Sequence, residues 1–235
     1  MSDACVLHCP SCGAPVDPKA SSCPHCAAPL SPARCPWCFE WTYVERDCPR
    51  CGASARPADP DASPLSCPTC RRGPLISRVL EGACLSGCGL CGGVWADAES
   101  FKRICADRGT HTAYLGEGAV TAAPNLANPA SSPVLYRPCA RCGLLMNRVN
   151  FASCSGVILD VCKRHGVWFD TDELRQIVAF IRGGGLDMAR QREIERLAEE
   201  RKRVEQAAAE HPGAPVAACH IVAARSLLSI FIERD

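Results

Sequence analysis

Leu174, Ile177, Val178 and Ile181 recur at i, i+3, i+4 and i+7, which puts an apolar stripe on one face of a helix. Asp170 followed three positions later by Glu173 predicts a capping box at its start. Arg182 and the run Gly183-Gly184-Gly185 predict its end, with a cation at the negative pole of the helix dipole. Upstream, the nineteen residues between Cys142 and Cys162 alternate apolar and polar, the period of a hairpin of half-buried strands. The same layout occurs earlier: Trp95, Asp97, Phe101, Ile104 and Cys105 correspond at a constant offset of 73 to Trp168, Asp170, Leu174, Ile177 and Val178. A period kept over five such positions predicts an internal repeat. Ser100 stands where the later copy has Glu173, so weaker capping is expected in the earlier helix.

Elsewhere the pattern is weaker. Trp37, Phe39, Trp41 and Tyr43 alternate through a short strand-like stretch. Residues 53–66 and 107–137 are rich in Pro, Ala, Gly and Ser and read as linkers. Leu186 to Glu210 reads as a strongly charged helix with six basic and seven acidic residues. Ile194, Leu197 and Val204 give it only a thin apolar seam, interrupted by Arg201, so a solvated helix is favoured over a coiled-coil dimer. His211-Pro-Gly breaks it, and the apolar tail from Val216 to Ile232 carries His220 and Arg225. An amphipathic tail helix fits that pattern better than a membrane span.

Composition changes the picture. Of 235 residues, 20 are cysteine, while Phe, Trp and Tyr together make 6%, so several small metal-stapled cores are expected rather than one large apolar core. Met1 to Cys12 lacks a basic start and a continuous apolar run, so no signal peptide is expected there. Cysteines in a reducing, cytoplasmic setting point to metal rather than disulfides. The net charge of +1 gives no global case for nucleic acid.

Most of the cysteines fall into spaced pairs. Cys9 and Cys12 pair with Cys23 and Cys26 across ten residues, and Cys35 and Cys38 with Cys48 and Cys51 across nine. Cys67 and Cys70 precede Cys88 and Cys91 by a spacer of seventeen, and Cys139 and Cys142 precede Cys162 and His165. Two ligand pairs, each on a tight turn, are what a tetrahedral zinc ion needs. Four sites account for fifteen cysteines and His165 and leave Cys5, Cys84, Cys105, Cys154 and Cys219. Cys105 lies on its helix's apolar stripe and reads as core, and nothing marks any of the five as a nucleophile. His8 and His25 are expected to be solvated, although Cys5 and His8 could form a further ligand pair. A unit of about 20 residues cannot offset roughly 1–2 kcal/mol of backbone entropy per residue. A structural zinc contributes on the order of 10–16 kcal/mol, so without metal these units should be disordered.

Residues 9–51, with Pro after each first cysteine, resemble the double zinc-ribbon family, although Ala27 and Phe39 stand where that family often has Gly. Cys139, Cys142, Cys162 and His165, with Gly166-Val-Trp-Phe-Asp170 and Asp172-Glu173-Leu174, resemble the transcription factor IIB-type zinc-ribbon family. The repeat extends that resemblance to residues 67–105, alongside 139–182. It implies zinc-stabilised ribbons with trailing helices.

The expected architecture is therefore four zinc ribbons on linkers, two with a trailing helix, plus a long charged helix. Its parts are a double ribbon (1–52), a linker (53–66), a ribbon with helix (67–106), a linker (107–137), a ribbon with helix (138–185), the charged helix (186–211) and the tail (212–235). Four closed zinc sites point to a non-catalytic adaptor or transcription-related module. Residues 1–60 carry five basic and six acidic side chains, and Arg71-Arg72 and Lys163-Arg164 sit beside thiolates that they offset. A protein partner is therefore favoured, nucleic acid would bind weakly, and oligomeric state stays open. The alternative is a thiol-redox or iron–sulfur protein; no βαβ setting for a redox pair is legible. Trp168 reads as core rather than as a base-stacking platform.

Overall fold

The computed structural model describes residues 6–55, 64–106, 111 and 135–210. The readings of Cys5, Cys219 and the apolar tail, and most of those on the two linkers, lie outside the described residues.

The hairpin pattern is realised as short antiparallel strands. β1 (Pro32–Arg34) pairs with β2 (Trp41–Tyr43), and all the other strands share one sheet. That sheet contains β3 (Ser54–Ala55), β4 (Ile76–Leu80), β5 (Ala83–Gly87) and β6 (Val94–Asp97). It continues with β7 (Asn147–Asn150), β8 (Ile158–Cys162) and β9 (Gly166–Phe169). The order is β3-β4-β5-β6-β9-β8-β7, antiparallel throughout. Glu81 and Gly82, both at positive φ, make the two-residue turn between β4 and β5 that suits the twist of a hairpin.

Each repeat contributes three strands, and the halves meet along β6 and β9. Trp95 stands opposite Trp168, and Val94 opposite Phe169, so the repeat is a two-fold related pair within one chain. Successive residues point to opposite faces. On one face Val94, Ala96, Val167 and Phe169 join the helices α1 (Ala98–Ala106) and α2 (Glu173–Arg182) in the main core. Phe101, Phe151 and Phe169 are at its centre, with Phe101 5.7 Å from Phe169 and 6.0 Å from Phe151. On the other face Trp95 and Trp168 pack with Leu75, Met146 and the cysteines of the last two ribbons. Gly93 is required there, because a Cβ would lie 2.1 Å from the Trp168 ring. α2 ends at Arg182, and Gly183 and Gly184 turn the chain into α3 (Gly185–Glu210). Met188, Ile194, Leu197 and Val204 of α3 are exposed.

Two expectations change. Separate small cores give way to one main core that spans the second, third and fourth ribbons, because edge-to-edge pairing of the repeats buries surface that neither could bury alone. Part of the first expected linker is structured: Ser54 and Ala55 form β3 on the edge of β4. The second ribbon is fixed there by Arg78, which is fully buried on β4. Its guanidinium donates to the carbonyls of Tyr43 (2.6 Å), Arg46 and Ala53, and the Arg78 carbonyl accepts from Trp37 Nε1 at 3.2 Å. Only the first ribbon keeps its own small core of Leu7, Val16 and Leu30, tied to the second where Tyr43 Oη donates to the His8 carbonyl at 2.9 Å.

Replacing Arg78 removes its charged donor from three carbonyls, of which Tyr43 and Ala53 keep a backbone donor each, Arg46 N–H and Cys48 N–H. A hydrogen bond to a charged group contributes about 1.5–3 kcal/mol. Arg78→Met is expected to lower the unfolding free energy of the zinc-loaded chain by about 2–4 kcal/mol. Amide exchange at Ser54 and Ala55 should accelerate in the same variant, and unchanged protection there would show that the clamp does not hold the ribbon.

Candidate metal centres

In seven of the eight pairs the first cysteine opens a turn closed by a backbone bond from the residue four positions on; at Cys162 the bond comes from His165, three positions on, at 3.2 Å. Examples are Gly13 N–H to the Cys9 carbonyl, Gly52 to Cys48, Gly92 to Cys88 and Gly143 to Cys139, each at 2.9–3.0 Å. The residue at that closing position takes positive φ at Gly13, Gly52, Gly92 and Gly143, and also at Ala27, Phe39 and Arg71. The departures from Gly at Ala27 and Phe39 therefore carry backbone strain rather than a different turn. Amides inside the turn point at sulfur: Ser11 N–H to Cys9, His25 to Cys23 and Arg141 to Cys139, all at 3.4 Å.

Four clusters result: Cys9, Cys12, Cys23 and Cys26; Cys35, Cys38, Cys48 and Cys51; Cys67, Cys70, Cys88 and Cys91; and Cys139, Cys142, Cys162 and His165. Within each, the donor atoms lie within 4.8 Å of one another. Sulfur–sulfur separations across the pairs are 3.7 Å in the first cluster, 3.5 and 3.7 Å in the second, 3.5 Å in the third and 4.0 Å in the fourth. His165 presents Nδ1, 3.7 Å from Cys139 Sγ and 3.5 Å from Cys162 Sγ. A tetrahedral ion with bonds near 2.3 Å places its sulfurs about 3.8 Å apart, so the donor sets fit zinc. A disulfide would need about 2 Å.

Local electrostatics divide the donors: burial pushes the thiols of Cys67, Cys91 and Cys139 up. A backbone N–H two residues on lowers the thiols of Cys70 (from Arg72) and Cys142 (from Leu144), the same position in both repeats. Burial, then Arg164 and Arg141, hold His165 below the usual histidine value, which keeps its ring free to coordinate. Cys105 lies outside the clusters, and burial pushes its thiol up to about 12. Cys84 and Cys154 also lie outside them, and His8 and His25 are exposed beside the first cluster without joining it.

Between the last two ribbons lies a polar network with no counterpart among the sequence expectations. Arg137 donates to Asp160 Oδ2 at 3.0 Å, to Asp170 Oδ2 at 2.7 Å and to Thr69 Oγ1 at 2.9 Å, bridging the fourth ribbon to the third. Trp168 Nε1 donates to Asp170 Oδ1 at 3.2 Å. With its carboxylate so engaged, Asp170 does not cap α2, and the capping box is half-formed: Glu173 Oε2 accepts the Asp170 N–H at 2.8 Å. In the earlier copy Asp97 Oδ1 does accept the Ser100 N–H at 2.8 Å, and Ser100 Oγ accepts from Cys84 N–H. Capping by the aspartate is therefore stronger in the earlier helix, the reverse of the expectation, because no arginine competes for Asp97.

Four-ligand sulfur and imidazole clusters on short hairpins fit zinc-stabilised ribbons. The family model described as double zinc ribbon matches residues 9–60, less than a quarter of the chain. That match stops short of the two later ribbons, and no match to the transcription factor IIB-type family accompanies it. No curated protein and no solved structure matches the chain.

Four Zn²⁺ per chain are expected by native mass spectrometry. Cys12 and Cys26 are exposed, whereas three of the four ligands in the second cluster are buried. A slow chelator titration should therefore empty the first ribbon first. The double variant Cys12→Ser/Cys26→Ser should start with three ions and lack the early release step; an early step that persists would assign it to another ribbon.

Burial, with Asp170 and Asp160 nearby, pushes the Glu173 carboxyl up to about 7 from an ordinary 4.5. The folded chain thus holds this proton more tightly than the unfolded one. The associated stability is fully present below about 4.5 and lost as pH rises toward 7. Glu173→Gln should flatten the pH dependence of unfolding over that window relative to the unmodified chain. Parallel profiles for the two would refute the assignment.

Proposed function

We propose that this protein is a non-catalytic zinc-stabilised module that binds a protein partner, in a reducing compartment such as the cytoplasm. The observation that carries the reading is the closed donor set: each cluster offers four protein ligands to one ion, whereas a catalytic zinc keeps a position for water or substrate. Metal here serves shape, and the surfaces it shapes do the work. Trp95 and Trp168, the aromatic residues nearest the zinc clusters of the paired ribbons, are 2% and 0% exposed, so neither offers a face to a base. Among the described residues no helix is long and apolar enough to cross a membrane. The competing reading, thiol-redox or iron chemistry at the same cysteines, draws on the three all-sulfur clusters, which suit iron as well as zinc.

The test pairs three measurements on the zinc-loaded chain. Purified protein should be colourless, oligonucleotide binding should stay weak and vanish with added salt, and a random-peptide display library should enrich on the loaded chain but not after chelation. Visible iron–sulfur absorbance, or tight salt-resistant oligonucleotide binding with no peptide enrichment, would overturn the proposal.

A further inference from the structure

The first knuckles of the third and fourth ribbons meet over the zinc face of the sheet, and an open cleft of about 310 Å³ lies between them. Both walls are built from the same four positions of the repeat, 72 residues apart: Ser66, Cys67, Pro68 and Arg71 on one side and their counterparts 138, 139, 140 and 143 on the other. The cleft therefore sits on the internal two-fold axis, and the differences between its walls show what it could select. Arg71 on one wall corresponds to Gly143 on the other, and Pro68 to Ala140. One wall is cationic, while the other is bare and followed by Leu144 and Leu145, which are 63% and 70% exposed.

The rim carries exposed cations. Arg71, Arg72 and Arg141 are exposed and form no ion pair among the described residues. No aspartate or glutamate occurs in 64–73 or 135–146. Arg137, in contrast, is consumed by Asp160, Asp170 and Thr69. The thiolate centres keep residual negative charge, but Cys67 and Cys139 are buried and held by amides such as Cys70 N–H and Arg141 N–H, whereas the three arginines are exposed to solvent. A volume near the bottom of the ligand-pocket range admits one or two side chains rather than a cofactor. The tryptophans lie beneath it, so stacked bases find no platform.

We propose that this cleft docks a short extended segment of a partner protein, with a carboxylate against Arg71 and an apolar side chain between Pro68 and Ala140 that continues onto Leu144. This rests on the reading of the chain as a protein-binding module and names the surface and the chemistry it recognises. Charge attraction steers and orients the segment, and the apolar contact holds it.

The experiment titrates the zinc-loaded full chain with an acetylated hexapeptide of alternating glutamate and leucine, followed by amide NMR. Saturating shift changes are expected at Thr69–Arg72 and Arg141–Leu145. Glutamine–leucine and glutamate–serine analogues should bind about tenfold more weakly or less. Arg71→Glu, which reverses the charge, and Ser66→Trp, which fills the cleft, should each abolish the shifts with zinc count and amide dispersion intact. Arg182→Glu, far along α2, should bind normally. Shifts mapping elsewhere, or binding kept by both cleft variants, would overturn the cleft while leaving a protein-binding module in place. Shifts at the cleft caused by an oligothymidylate and not by the peptide would replace it with a nucleic-acid site. If neither this peptide nor any display-library peptide binds, the wider reading falls as well.

Discussion

The antiparallel pairing of β6 with β9 is the interaction on which the rest depends. A four-coordinate thiolate centre can organise a hairpin, but a hairpin has two bare faces and open edges. Joining two ribbons at their third strands removes one edge from each. It also makes a sheet wide enough to have a helical face and a metal face. The register follows from two close approaches at equivalent positions. Gly93 lies under the Trp168 ring, and Gly166 lies 2.1 Å, measured from a would-be Cβ, from the Ala96 carbonyl. Any side chain at either position would push the halves apart.

The ligand sets and the helical stripes were legible in the sequence because both obey short local rules. A CxxC turn needs only five residues, and α2 declares itself through Leu174, Ile177 and Val178, which are all buried. The repeat was legible too, through its offset of 73. What the repeat does was not, because no periodicity says that two copies pair with each other rather than with solvent. Arg78 shows the same limit. Nothing within Ile-Ser-Arg-Val-Leu marks it as a buried clamp, yet a different ribbon brings three carbonyls to it. Arg137 was hidden for a like reason: its partners lie at positions 69, 160 and 170, far apart in the chain. Long-range polar contacts leave no local trace, whereas metal ligands and helix faces do.

Reliance on metal is graded along the chain. The first ribbon has a core of a few residues and joins the others through contacts such as the Tyr43–His8 hydrogen bond, so its order rests most heavily on its ion. In the second ribbon Cys35, Cys38 and Cys48 are part of the main apolar core, where packing and coordination reinforce each other. The third and fourth ribbons divide the load differently. Their thiolates pack against the tryptophan face, while the phenylalanine cluster with α1 and α2 supplies the conventional core.

Two copies of one unit in a single chain also separate what the fold needs from what it does not. Positions that match across the offset, such as Trp95 and Trp168 or Gly93 and Gly166, lie at the seam, where a change in one copy would be felt by both. The carboxylates at 97 and 170 keep their identity but have parted in use, one capping a helix and the other binding an arginine from a neighbouring loop. Cys91 and His165 differ in ligand type, which changes the residual charge of the two centres by one without altering their geometry. The copies also differ at Arg71 and Gly143, which share the positive-φ closing position of the turn and line a solvent-open cleft, so the arginine stands where the backbone favours glycine. A dyad that is tight at its seam and asymmetric at its mouth is what results when packing constrains one part of a repeat more than another.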